Sequence, residues 1–93
     1  MDDTVHDIFE TMATSSDIQL SYHAGTRMQK QRISMEDIAF TLELGEHTDG
    51  RRPGTREAYL ELDGRPVTVI YDLARHEMQD LFHVVTVIRR SNQ

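Results

Sequence analysis

At 93 residues the chain has room for one small domain, large enough to close a core without staples. Cysteine is absent, which excludes disulfides and thiolate metal sites. The net charge of −6 argues against a phosphate-binding surface spread over the whole molecule. That charge is unevenly placed: residues 1–20 carry Asp2, Asp3, Asp7, Glu10 and Asp17 with no Lys or Arg, and residues 21–93 hold eleven acids against ten bases, a net of −1.

The opening "MDDTVHDIFETMATSSD" has neither the basic nor the apolar region of a signal peptide, so a cytoplasmic location is expected. No apolar run approaches the roughly 20 residues of a membrane-spanning helix, and no membrane association is expected. Val5, Ile8, Phe9 and Met12 follow the i, i+3, i+4, i+7 spacing of an amphipathic helix. Residues 1–17 are therefore expected to be an acidic helical segment, set apart by "ATSSD" from a single α+β domain over 18–93. "IQLS" reads as a brief extended piece.

Ser21 suits a helix N-cap, and a helix is predicted over about Tyr22 to Gln31. Ser34 followed by Asp37 resembles a capping box; Met35, Ile38, Ala39 and Leu42 make an apolar stripe, and Gly45 ends that helix. Phe40 and Leu44 point away from the stripe. Either the fold covers this second face, for which the residue 5–12 helix is the favoured candidate, or it meets another chain and supports a dimer. From Gly45 to Glu57 the Gly, Pro, Asp and Arg content predicts a loop. "AYLEL", an Asp63-Gly64 turn and "PVTVIYD" predict a hairpin; "LARHEMQD" is read as a connection, and "LFHVVTVIRR" as a well-covered strand. The expected fold class is α+β, with N-terminal helices packed on one face of a small antiparallel sheet, a three-stranded meander or slightly larger.

His23 and Arg27 stand one turn apart on the predicted second helix, beside its buried Ala24 and Met28 stripe. Such a pair either meets one ligand, the imidazole exchanging a proton and the guanidinium holding an anion, or is a solvated helix flank. "SYHAGTRMQKQRISMEDIAFTLELGE" resembles the signature of the bacterial family catalogued as domain of unknown function 4258, whose specific part is the His-Ala-x-x-Arg-Met block; the likeness runs over about Ile18 to Arg90. That family is grouped with RelE-like and barnase-like ribonucleases and toxins. The resemblance implies a RelE-like or barnase-like fold, a metal-independent ribonuclease or toxin-like activity, and His23, Arg27 and Thr86 as catalytic positions, with Arg32 matching a second arginine of the motif.

Cleaving RNA without a metal needs a base for the 2′-hydroxyl, an acid for the leaving oxygen, and donors or cations for the charge on phosphorus. His23 fits either proton role, Arg27 a phosphate clamp, and Thr86 a hydroxyl donor. His83 is the nearest candidate for a second proton carrier, but strict alternation puts it on the opposite face from Thr86 unless the strand is bulged. Arg51, Arg52 and Arg56 cluster in the predicted loop, where they either track a phosphate backbone or are simply solvated. Tyr59 and Tyr71 are either base-stacking or packed strand residues. His6, His47 and His76 lack ligand spacing, so neither a metal nor another cofactor is expected. Two functional classes stand: a small ribonuclease acting on RNA under the control of an inhibitory protein partner, or a non-catalytic protein- or nucleotide-binding module on the same fold.

Overall fold

The computed structural model describes residues 17–89, and the helix expected over 5–12 lies outside them. In chain order the elements are β1 (Ile18–Leu20), α1 (Tyr22–Gln31), α2 (Met35–Leu44), β2 (Glu46–Asp49), β3 (Thr55–Leu62), β4 (Arg65–Asp72), α3 (Leu73–Gln79) and β5 (Phe82–Arg89). The strands form one sheet in the order β1-β5-β4-β3-β2. Among the described residues three pairings are antiparallel, and β1 against β5 is parallel. The protein is α+β.

The first helix begins where its cap predicts. Ser21 Oγ accepts the Ala24 N–H at 2.9 Å, satisfying one of the donors that a helix start leaves open. It ends at Arg32, whose φ of 56° is left-handed; its N–H returns to the carbonyls of Gln29 and Met28, and Ile33 N–H bonds Met28 O at 2.9 Å. The buried Ile33 then covers that end. In the second helix the Ser34 and Asp37 side chains each accept the other's backbone N–H, both at 3.0 Å, and Glu36 and Asp37 complement the dipole.

Ala24, Ile33, Ile38, Ala39 and Leu42 pack on one sheet face against Ala58, Val67, Val69, Tyr71, Val84 and Val87. Each large aliphatic side chain fully buried there contributes about 1.5–3 kcal/mol. Phe40 and Leu44, on the other side of α2, are 44% and 66% exposed, so no described residue covers that second face. Asp63 and Gly64 both take positive φ, 53° and 76°, as the predicted two-residue turn demands.

The fold exceeds the expected helices and meander in three places, two of them strands of the sheet. The IQL stretch is long enough to pair with β5. The predicted 45–57 loop is shorter than expected, because Glu46–Asp49 forms edge strand β2; three of its four residues are exposed, so no apolar alternation marks it. Likewise "LARHEMQ" is a helix with no buried residue, capped by Asp72 Oδ1 on Arg75 N–H at 3.0 Å. Lacking an apolar stripe, it shows no period to read.

Candidate functional site

Among the described residues, strand alternation leaves one sheet face free of helices. Across it, Thr48, Glu57, Ile70 and Thr86 stand in a single cross-strand row, each paired in register with the next. A second row holds Tyr59, Thr68 and Ile88. These residues floor a concavity of about 790 Å³. His23 closes it at the β5 side; Arg51 and Arg52, from the loop between β2 and β3, close it at the other.

His23 reaches this face because of how α1 is tethered. After β1, the Ser21 N–H bonds Val84 O at 2.9 Å and its hydroxyl donates to Val85 O at 2.8 Å. The far end is fixed by Arg89, whose backbone N–H donates to Gln31 Oε1 at 2.6 Å and whose Nη1 donates to Gln31 O at 2.9 Å. The helix thus lies along β5, turning Ala24 into the core while His23 stands exposed on the groove.

The last strand carries an irregularity at this point. Ile70 pairs with Thr86 but Tyr71 pairs with Val84, which leaves Val85 as an extra residue. Val84 and Val87 are therefore both fully buried although three positions apart. Because of the bulge, His83 and Thr86 share the open face, where strict alternation would have separated them. His83 nevertheless stands outside the groove lining, with Nδ1 buried and unpartnered among the described residues.

The other sequence candidates divide. Arg27, one turn beyond His23, is half-buried and is not part of the lining; its Nε is buried without a hydrogen-bond partner, and no described carboxylate pairs with it. Arg32 caps α1 outside the groove. Arg56 lies on the helix side of the sheet, in register with Tyr71, and its Nη1 meets Asp49 Oδ1 at 3.0 Å. The Tyr71 hydroxyl first, and then the Asp49 carboxylate, raise its pKa above the ordinary arginine value. That pairing and the sheet itself separate Arg56 from Arg51 and Arg52.

Tyr71 is buried, and His47 Nδ1 meets its hydroxyl at 2.7 Å while His47 Nε2 meets Leu42 O at 2.9 Å. A carbonyl can only accept, so neutral His47 carries its proton on Nε2 and accepts from Tyr71. With His76 and Phe82 these rings form a packed aromatic cluster, which makes Tyr71 and His47 structural. Tyr59 is different: it is 45% exposed on the open face. Among the described residues no group of His, Asp and Glu is arranged to hold a metal.

Glu57 was not singled out by sequence reasoning. It sits in what reads as the end of an Arg-rich loop, and only the strand register reveals that it shares a row with Thr86 and a groove with His23. The signal available was its parity with Tyr59 in β3.

A family profile matches residues 20–89, so the match spans α1 through the last strand and includes His23, Arg27, Glu57 and Thr86. The chain belongs to the family described as Domain of unknown function (DUF4258). No curated protein and no solved structure matches it. The DUF4258 match thus contains every residue of the groove lining.

Proposed function

We propose that this DUF4258 protein is a metal-independent, toxin-like endoribonuclease whose site is the open-face groove. The observation that supports this most is convergence: His23 from α1, the Arg51–Glu57 segment and Thr86 from β5 come from three separate stretches of chain and line one groove. Core packing does not require that, since the face is open.

The chemistry follows from the residue types. The Glu57 side chain, acting as the base, takes the proton of a ribose 2′-hydroxyl; the 2′-oxygen forms its bond to phosphorus as the bond to the 5′-oxygen breaks, giving a 2′,3′-cyclic phosphate. Protonated His23 on the opposite wall supplies the proton to the leaving 5′-oxygen. Thr86, between them, donates to a phosphate oxygen, and Arg51 and Arg52 supply positive charge near the developing dianion.

Cleavage of a mixed RNA pool in EDTA tests this. His23→Ala and Glu57→Gln should each lower the rate by about 10²–10⁴-fold with circular dichroism unchanged. No cleavage by the wild-type chain, or cleavage indifferent to both substitutions, overturns the proposal.

A second reading, a non-catalytic module meeting another protein or a second copy through α2, is favoured by the exposure of Phe40 and Leu44. Sedimentation of the wild type beside Leu44→Glu separates it: a monomer in both removes the case for self-association.

A further inference from the structure

We infer that Tyr59 is the base-stacking platform of this groove, so that the RNA it takes is single-stranded and runs along β3 and β4. This rests on the ribonuclease reading above and adds to it the path and the state of the strand.

Four observations carry it. Tyr59 is 45% exposed in the groove floor, and its ring joins none of the aromatic contacts among the described residues, which involve His47, Tyr71, His76 and Phe82 only. Its backbone is held firmly: Gly45 approaches so closely that a Cβ there would stand 2.5 Å from Tyr59 O. An aromatic face fixed on a strand loses little freedom when a base stacks on it. Its neighbours in the row are Glu46 on β2 and Thr68 on β4, with Ile88 beyond Thr68, and none of them is aromatic.

Charge then gives the direction. Along β3, Arg51 and Arg52 lie beyond Thr55, the Glu57 row comes next, and Tyr59 follows. Thr55 to Tyr59 is four residues, about 13 Å at a strand rise of about 3.3 Å. Glu46, in register with Tyr59, and Glu61, two residues further on, are exposed carboxylates on this face. Phosphates are repelled from that end and drawn to the arginine end. A base therefore occupies Tyr59, the scissile phosphate lies over the Glu57-Thr86 row, and a flanking phosphate lies at Arg51 and Arg52. A paired base in a duplex presents no free face to the ring, so the site selects unpaired strands.

Binding of a mixed-sequence heptanucleotide carrying 2′-fluoro in place of each 2′-hydroxyl tests this without turnover. Tyr59→Ala should weaken binding by about 5–150-fold, the equivalent of one stacked base, with circular dichroism unchanged. Tyr59→Phe should keep the affinity but lose the tyrosine fluorescence quenching expected on binding to wild type. A duplex of the same sequence should bind more weakly than the single strand. Wild-type affinity in Tyr59→Ala, a Tyr59→Phe variant as weak as Tyr59→Ala, or equal affinity for duplex overturns the platform and leaves the nuclease proposal standing. Failure of the wild type to bind any oligonucleotide removes the RNA reading itself, and the platform with it.

Discussion

Replacing Ser21 by alanine should disturb both the stability of the protein and the placement of His23. One hydroxyl does two jobs: it accepts the Ala24 N–H at 2.9 Å, capping α1, and donates to the carbonyl of the bulge residue Val85 at 2.8 Å. Loss of a serine N-cap costs about 0.5–2 kcal/mol, typically about 1. Leaving the half-buried Val85 carbonyl without its donor adds about 1 kcal/mol, toward the low end for an unsatisfied group because water reaches this edge. The sum is about 2 kcal/mol, which for a domain of this size lowers Tm by roughly 8–16 °C. Urea unfolding followed by circular dichroism measures it as a fall in midpoint at constant m. Two further variants divide the effect. Threonine keeps both bonds and should stay close to wild type, whereas aspartate keeps the cap but cannot donate to Val85 O and should recover only about half the loss. Wild-type stability in Ser21→Ala would show that neither bond matters. Full recovery by aspartate would show that the tie to the bulge contributes nothing.

Gly45→Ala should be strongly destabilising, by more than about 2 kcal/mol, because its Cβ would lie 2.5 Å from both Thr41 O and Tyr59 O and backbone atoms cannot swing aside; thermal unfolding reads this directly. Tyr71→Phe removes the hydroxyl that His47 Nδ1 meets at 2.7 Å and should cost about 1–2 kcal/mol in urea unfolding. Asp49→Asn should change stability by less than about 1 kcal/mol, since its carboxylate side chain is 91% exposed; Arg56, its pKa raised further, stays charged across the accessible pH range and adds no pH dependence. For single-stranded RNA, the Arg51 and Arg52 pair at the groove gives a slope of log affinity against log salt of about −1.4, and the double substitution of both by alanine should bring it close to zero.

Helix boundaries were readable because local chemistry sets them. Ser21, the Ser34-Asp37 box and Gly45 act within a few residues of themselves, and each is found where the sequence puts it. The hairpin turn at Asp63-Gly64 is equally local. What escaped was whatever depends on exposure or on distant pairing. Glu46–Asp49 and Leu73–Gln79 bury almost nothing, so no apolar period distinguishes them from loop. The IQL strand is three residues long and exists only through its parallel partner, more than sixty residues away.

The groove depends on the same long-range terms. His23 was visible from its motif and Thr86 from its strand, but their meeting requires α1 to lie along β5, which the Ser21 and Arg89 tethers bring about. Glu57 becomes a partner only through two strand registers in succession, Glu57 with Ile70 and Ile70 with Thr86. The bulge at Val85 then fixes which face each residue of β5 presents. Without it, keeping Val84 buried would turn Thr86 inward and Val87 out to solvent, and the row facing Glu57 would lose its hydroxyl. In "FHVVTVIR" every position from Val84 to Ile88 is apolar or β-branched, so nothing in the stretch marks where alternation slips. One unpaired valine thus decides both the burial of Val87 in the core and the presence of Thr86 in the groove.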